Sequence, residues 1–150
     1  MQLQWRKWYA ARHGLTDDEV IGVIPNIVIP THYQACWEKA FRYFDIKPKF
    51  LHPEFRKFRI NPEDIRDLVD EKTIVVVGIL GNHYNGTYDP IWKMDQILTE
   101  INEQKGFQVG LHVDGASGGL SWWSAGMILD GEITHCLLVM RCSVDAEKLL

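Results

Sequence analysis

One aspartate stands where it could hold the positive charge of a bound ring. Asp114 ends the apolar run VGLHV at residues 109–113, and small residues follow it at 115–119. Open α/β sheets bind ligands beyond the carboxyl ends of their strands, and small residues let a flat ligand approach the backbone closely. A carboxylate in this place can accept a charge-assisted hydrogen bond from a protonated ring nitrogen. We expect that role for Asp114; the competing interpretation is a turn or helix-cap aspartate.

The same small-residue stretch could instead carry a nucleophile. GASGG at residues 115–119 fits the G-x-S-x-G pattern of the α/β-hydrolase elbow, which also follows a strand. Asp130 and His135 follow Ser117 in the chain order of a hydrolase triad, but they are only five residues apart. The chain is also short for that fold, so a serine hydrolase acting through Ser117 is a distant alternative.

Two other segments are predicted to reach the same sheet edge. Residues 82–89 follow the apolar run at 74–80, and they include His83, which could titrate, and Asn85, which could donate a hydrogen bond. A plain turn at Asn85 and Gly86 is the alternative for this loop. Gln34 follows a short predicted strand, and its alternative role is a capping box in which it accepts from the Thr31 amide.

Five sequence blocks resemble the large domain of the glutamate decarboxylases, which are pyridoxal-phosphate enzymes of the aspartate-aminotransferase fold type. They occur in the family's order and at near-family spacing. The blocks are QACWEK at 34–39, RYFD at 42–45, DEKTI at 70–74, ILG at 79–81 and HVDGASGG at 112–119.

The resemblance implies a set of cofactor-binding residues. Asp114 would pair with the protonated ring nitrogen of pyridoxal phosphate, and Ala116 would pack beneath the ring. Gln34 would stack on the opposite ring face. The family places hydroxyl residues near the cofactor at the positions of His83 and Asn85, and Asn85 keeps a hydrogen-bond donor there. The predicted cofactor-binding residues are therefore Asp114, Ala116, Gln34 and Asn85.

The resemblance also implies a reaction, which is release of carbon dioxide from L-glutamate to give 4-aminobutanoate in a homo-oligomer. The family holds its cofactor on a lysine. Lys148 is the only lysine after Asp114, and it lacks the family's preceding histidine. We therefore expect a truncated or divergent piece of a decarboxylase that is inactive alone, with no catalytic residue assigned. The alternative is a non-catalytic fragment that docks against a full-length relative.

Length, charge and cysteine content limit the partners and the compartment that we expect for this chain. A chain of 150 residues suffices for one domain, and a net charge of −4 without a basic stripe argues against a nucleic-acid partner. No apolar run approaches the roughly 18 residues of a membrane-spanning helix. Three cysteines without metal-ligand spacing or a secretory signal indicate reduced thiols in the cytoplasm.

Strands and helices alternate along the chain, which predicts an α/β fold: a partial, mostly parallel sheet with flanking helices, as in the large domain of fold-type I pyridoxal-phosphate enzymes. Pro48 places the strand at 46–51 near a sheet edge. Predicted strands lie at 26–30, 46–51, 74–80, 109–113 and within 133–144. Predicted inward-facing helix residues are Trp37, Ala40, Phe41, Phe44, Ile65, Leu68, Val69, Met94, Ile97, Leu98 and Ile101.

We divide the chain into a helical segment at 1–24, a partial cofactor-binding domain at 25–119 and a divergent tail at 120–150.

Overall fold

Residues 2–119 form a four-stranded parallel sheet with helices on both faces. A computed structural model describes residues 2–119, so the predicted strand within 133–144 and Lys148 lie outside the described part. The strands lie in the order β2-β1-β3-β4, and every neighbouring pair is parallel. Their bounds are Asn26–Pro30 for β1, Lys47–Leu51 for β2, Thr73–Ile79 for β3 and Gly110–Asp114 for β4. The predicted α/β class is confirmed.

In the part of the chain that the structure describes, five helices connect or precede these strands. They are α1 (Gln2–His13), α2 (Asp17–Ile21), α3 (Cys36–Tyr43), α4 (Ile65–Leu68) and α5 (Ile91–Lys105). Helix α2 begins with a capping box, because Thr16 Oγ1 accepts from the Glu19 amide while Glu19 Oε2 accepts from the Thr16 amide. A 3₁₀ turn at Pro62–Asp64 leads into α4, and the Asn61 side chain caps that turn.

The central strand β3 explains why the sheet holds together. All seven of its residues are buried, as expected for an apolar run without alternation in a sheet covered on both faces. It pairs with β1 on one side and with β4 on the other, where Ile79 stands opposite Asp114. Strand β2 lies at an edge of the described sheet, which confirms the prediction drawn from Pro48.

The two faces of the sheet bury different residues. In β1, Val28 packs toward α4 and α5, whereas its neighbours Ile27 and Ile29 pack toward α1 and α3. This alternation is the period of two that a strand imposes. The predicted apolar stripe of α5 is fully buried on the first face: Met94, Ile97, Leu98 and Ile101 are each at most 3% exposed.

The N-terminal helix belongs to the same core as the sheet. Trp5 and Tyr9 of α1 are each 7% exposed and pack in the cluster that contains Ile27. The Trp5 indole N–H donates to the Glu71 carbonyl oxygen at 2.9 Å, which attaches α1 to the turn before β3. The division of the chain at residues 24 and 119 stays a prediction. Within residues 2–119, no helix has the length and apolar character needed to cross a bilayer.

Candidate functional site

A pocket of about 110 Å³ opens at the carboxyl edge of the sheet. It lies where β3 and β4 end, beside the start of α3, as ligand sites do in open parallel sheets. The residues that line it are Gln34, Cys36, Ile79, Gly81, His83, Asp114, Ala116 and Ser117. Three of the four predicted site residues thus share one pocket with His83.

Asp114 is held at this edge by its backbone and by both carboxylate oxygens. Its carbonyl oxygen accepts from the Leu80 amide at 2.9 Å, which extends the β3–β4 ladder. Its Oδ1 accepts from the Ala116 amide at 3.2 Å, and its Oδ2 accepts from Trp37 Nε1 at 3.1 Å. Each carboxylate oxygen can accept more than one hydrogen bond. The carboxylate is therefore anchored and still able to bind a donor in the pocket.

Trp37 brings α3 against the strand that carries Asp114. Its indole ring meets the His112 imidazole edge-on, with ring centroids 5.4 Å apart. His112 and Asp114 lie two residues apart on β4, so they share one face of the sheet. Burial lowers the pKa of His112, although the Asp114 carboxylate acts in the opposite direction. Burial therefore favours the neutral imidazole next to the carboxylate.

Two glycines pin the loops that follow β3 and β4. Gly81 has φ +74°, and a Cβ at this position would lie 2.5 Å from Gly118 Cα. The Gly118 amide donates to the Leu80 carbonyl oxygen at 3.0 Å. Only residues without side chains permit backbones this close. This contact holds Ala116 and Ser117 beside the end of β3, where they line the pocket.

Gln34 reaches the pocket while it also supports the start of α3. Its Oε1 accepts from the Cys36 amide at 2.6 Å. The Thr31 amide donates to the Leu51 carbonyl oxygen at 2.9 Å and is not capped by Gln34. The capping-box alternative for Gln34 is therefore wrong, because the chain at Thr31 still pairs with the end of β2.

The loop after β3 presents His83 to the pocket and directs Asn85 elsewhere. Buried Asn82 donates to the His32 carbonyl oxygen at 2.7 Å and accepts from the Tyr84 amide at 2.9 Å, which shapes the turn. The Asn85 oxygen accepts from the Thr87 amide at 3.0 Å and from the Thr87 hydroxyl at 2.7 Å. Asn85 is exposed and bonded to Thr87 and, through Nδ2, to the Phe58 carbonyl oxygen, whereas Asp114, Ala116 and Gln34 line the pocket together.

His32 stands next to this loop with both ring nitrogens buried and unpaired within the described structure. Burial lowers its pKa, and repulsion from His83 lowers it further. Two imidazoles this near each other disfavour simultaneous protonation. Positive charge is therefore disfavoured at His32, beside the loop that carries His83.

Asp89 is a second carboxyl group near the end of β3, and it is 2% exposed. Its Oδ2 accepts from the Ile79 amide at 2.8 Å, while Oδ1 has no partner within the described structure. Burial raises the pKa of Asp89 to about 6, although the Ile79 hydrogen bond and Arg59 both oppose that rise. Asp89 thereby holds the end of β3 through the Ile79 amide.

Three residues of the site were not identified by the sequence pattern. Trp37 was interpreted only as a core residue, Cys36 lines the pocket, and Asn82 organises the loop. The signal for Asn82 was its position directly after a buried strand, where a polar group needs a partner. Ser117 also lines the pocket, whereas its possible triad partners Asp130 and His135 lie outside the described residues.

Comparison with known sequences gives a consistent answer. The pyridoxal-dependent decarboxylase conserved domain matches residues 1–127. A glutamate decarboxylase of Lactococcus lactis subsp. cremoris is 43% identical over 120 residues, which is 80% of this chain and 25% of that protein. Glutamate decarboxylase beta of Listeria monocytogenes is 41% identical over 119 residues. The chain thus spans about a quarter of the length of the curated relatives it matches.

Comparison with solved structures agrees with the sequence matches. A glutamate decarboxylase of Lactobacillus brevis superposes with a TM-score of 0.70 at 38% identity, covering 80% of this chain and 26% of that one. A sphingosine-1-phosphate lyase of Burkholderia pseudomallei superposes with a TM-score of 0.59 at 28% identity, covering 81% and 25% respectively.

Proposed function

Because the chain belongs to the pyridoxal-dependent decarboxylase family, we propose that its pocket forms the ring-nitrogen side of a pyridoxal-phosphate site. The observation that carries this proposal is the placement of Asp114. Its carboxylate lies at the carboxyl end of β4, is oriented by two donors and lines the pocket. The activity we propose for the whole protein is decarboxylation of L-glutamate, as the names of its relatives suggest.

The donor and acceptor groups of the pocket suit this cofactor. A carboxylate is the acceptor that a protonated pyridine nitrogen requires. Ala116 and Gly81 add little bulk, so a flat ring has room beside the backbone. Gln34 has a planar amide that could cover one ring face. We retain Asn85 as a proposed cofactor residue, which would have to release Thr87 and the Phe58 carbonyl oxygen to reach the pocket.

The proposed mechanism assigns a task to each of these residues. When bound, pyridoxal phosphate supplies an electron sink for the electron pair left on the substrate as carbon dioxide departs. Asp114 would hold a proton on the ring nitrogen, so that the ring would keep its positive charge. Ala116 and Gln34 would confine the ring between them, and buried Ile79 would limit the approach of water from the sheet.

The first test measures cofactor binding by the 150-residue chain. Pyridoxamine 5′-phosphate is the suitable probe, because it has no aldehyde and so does not condense with surface lysines. We expect Asp114→Asn to weaken its binding about 10-fold or more, since a charge-assisted hydrogen bond contributes roughly 1.5–3 kcal/mol. Isothermal titration calorimetry gives both dissociation constants.

Asp67→Asn is the matched control, because Asp67 is an exposed carboxylate on α4 outside the pocket. It should bind the probe as the wild type does. If the Asp114 and Asp67 variants bind equally well, Asp114 does not contact the ring nitrogen. If the wild type does not bind the probe at all, the proposed site is wrong.

We also propose that the protein is a cytoplasmic homo-oligomer. An aromatic patch supports association: Phe55, Phe58 and Tyr84 are 88%, 59% and 71% exposed on two loops that meet beside the pocket. Asn85 Nδ2 donates to the Phe58 carbonyl oxygen at 3.4 Å and joins those loops. Exposed apolar clusters often mark protein interfaces. The exposed free thiol of Cys36 suits a reducing compartment.

Sedimentation velocity tests the oligomer proposal. We expect the wild type to associate and Phe55→Ser/Phe58→Ser to sediment as a monomer, because the substitutions remove the apolar surface. Trp92→Ser is the control, since Trp92 is 58% exposed on α5 and lies outside the patch. Monomeric behaviour of the wild type at every concentration would contradict the proposal.

A further inference from the structure

The carboxylate of Asp114 has one donor that comes from a distant part of the chain. Trp37 lies 77 positions before Asp114, and its Nε1 donates to Oδ2 at 3.1 Å. The other oxygen, Oδ1, accepts from the Ala116 amide two residues along the chain. A backbone amide and an indole from α3 thus hold opposite ends of the same carboxylate.

We propose that Trp37 is a positioning residue, which orients the Asp114 carboxylate toward the ring nitrogen of a bound pyridine cofactor. This inference rests on the proposed function of the pocket. It assigns to Trp37 no contact with the cofactor or with the substrate.

The chemistry of the indole suits this task. An indole has one N–H donor and no acceptor, so its hydrogen bond to the carboxylate has only one direction. It carries no charge, and it therefore orients the carboxylate without neutralising it. A lysine or arginine at the same place would form an ion pair with Asp114 and compete with a protonated ring nitrogen.

The indole is itself held in place. Trp37 is half-buried, it packs against the core cluster that contains Ile27, and its ring meets His112 edge-on at 5.4 Å. The start of α3 is fixed by the Cys36 amide, which donates to Gln34 Oε1 at 2.6 Å. A donor on a supported helix restricts rotation of the carboxylate more than solvent water would. Trp37 therefore links the packing of α3 to the geometry of the site.

If Trp37 only supported the packing of the pocket, its substitution would weaken the binding of every ligand there equally. Two ligands, one with a ring nitrogen and one without, therefore distinguish a positioning role from a packing role. Trp37→Phe keeps an aromatic ring and removes the donor. We expect it to weaken binding of pyridoxamine 5′-phosphate about 3- to 10-fold, the effect of one hydrogen bond. Binding of the deaza analogue, in which carbon replaces the ring nitrogen, should change less than about 2-fold, because that analogue makes no bond to Asp114.

Trp92→Phe is the matched control for the loss of an exposed tryptophan on α5, and it should change neither affinity. Adding Trp37→Phe to Asp114→Asn should cause less than about a 2-fold further loss, because the two residues act through the same bond.

Equal losses for both ligands in Trp37→Phe would show a packing role and overturn the inference. Unchanged binding of pyridoxamine 5′-phosphate would also overturn it while leaving the cofactor site intact. Failure of the wild type to bind either ligand would overturn the proposed function and this inference with it.

A measurement without cofactor keeps the proposal testable even if Trp37→Phe does not fold. In a ¹H–¹⁵N correlation spectrum at one fixed pH, the indole N–H signal of Trp37 should shift upfield in Asp114→Asn, since a neutral amide is a weaker hydrogen-bond acceptor than the carboxylate at this distance. The indole signal of Trp92, which lies outside the pocket on α5, should stay in place. A Trp37 signal that behaves identically in both proteins would show that the indole does not bond to this carboxylate, and so would overturn the inference.

Discussion

At the scale of single residues, burial decides how the two carboxyl groups near the pocket behave. Asp114 is partly exposed, and its carboxylate accepts hydrogen bonds from Trp37 and from the Ala116 amide. Asp89 is 2% exposed, and within residues 2–119 its carboxylate accepts one hydrogen bond, from the Ile79 amide. Desolvation raises the pKa of Asp89 from 3.8 to about 6. The two carboxyl groups are therefore suited to different tasks, one binding a cation and the other capping a strand end.

The raised pKa of Asp89 predicts a pH-dependent stability. Because the folded-state pKa of about 6 exceeds the reference value of 3.8, protonation of Asp89 stabilises the folded protein. This contribution is complete below pH 3.8 and is lost as the pH rises through about 6. Wild type should therefore lose about 2 kcal/mol of unfolding free energy relative to Asp89→Asn between about pH 4.5 and about pH 8. Urea denaturation at several pH values measures this difference.

Asp67→Asn provides the comparison for the Asp89 experiment, because Asp67 is exposed on α4. Its unfolding free energy should follow the wild-type pH profile. Parallel profiles for the wild type and Asp89→Asn would mean that Asp89 is ionised in the folded protein without penalty.

The sequence identified some site residues and could not identify others, for a physical reason. Asp114 could be predicted because its signal is local: an apolar run, a carboxylate and small residues follow one another in the sequence. Trp37 carries no such signal, since its partner lies 77 positions away and the contact depends on how α3 packs on the sheet. For Gln34, the local pattern admitted a capping box that the pairing of Thr31 with Leu51 prevents. Long-range backbone pairing overrides a local capping motif.

At the scale of the elements, the contact between the loops after β3 and β4 controls the shape of the pocket. Gly81→Ala should destabilise the fold by about 3 kcal/mol or more, because the new Cβ adds a backbone clash to an unfavourable positive φ. Gly86→Ala is a close control in the neighbouring turn. Its φ is +69°, but a Cβ there has no neighbour within 4 Å among the described residues, so we expect a loss of about 1 kcal/mol.

Urea unfolding of both glycine variants isolates the effect of the loop contact from that of backbone strain. Equal losses of stability in Gly81→Ala and Gly86→Ala would show that the approach of Gly118 to Gly81 is not required for the fold.

The helices and strands themselves were largely predictable, and the exception is informative. The buried run at β3 and the stripe of α5 follow from periodicity alone. Phe44 was predicted to face inward at the end of the α3 stripe, yet it is 58% exposed. Helix α3 ends at Tyr43, so Phe44 caps the helix and leaves the helical spacing on which that prediction depended.

At the scale of the whole molecule, the sheet order explains how residues far apart in the chain form one pocket. Parallel strands β3 and β4 are neighbours, so the loops that follow them meet at the same edge. Strand β1 pairs with β3 on the side opposite β4, and helix α3 follows β1. The start of α3 therefore lies at the same edge, where Trp37 contacts Asp114. The scaffold thereby places a carboxylate, its orienting donor and a small-residue loop around one cavity.

The most direct test of the role proposed for Asp114 is the protonation state of a bound pyridine ring nitrogen. Pyridoxamine 5′-phosphate labelled with ¹⁵N in the ring reports that state through its chemical shift when bound to the 150-residue chain. We expect the bound ring nitrogen to stay protonated to a higher pH than it does free in solution, and we expect Asp114→Asn to remove this difference. If the ring nitrogen loses its proton at the same pH when bound to wild type, when bound to Asp114→Asn and when free, Asp114 does not hold that proton.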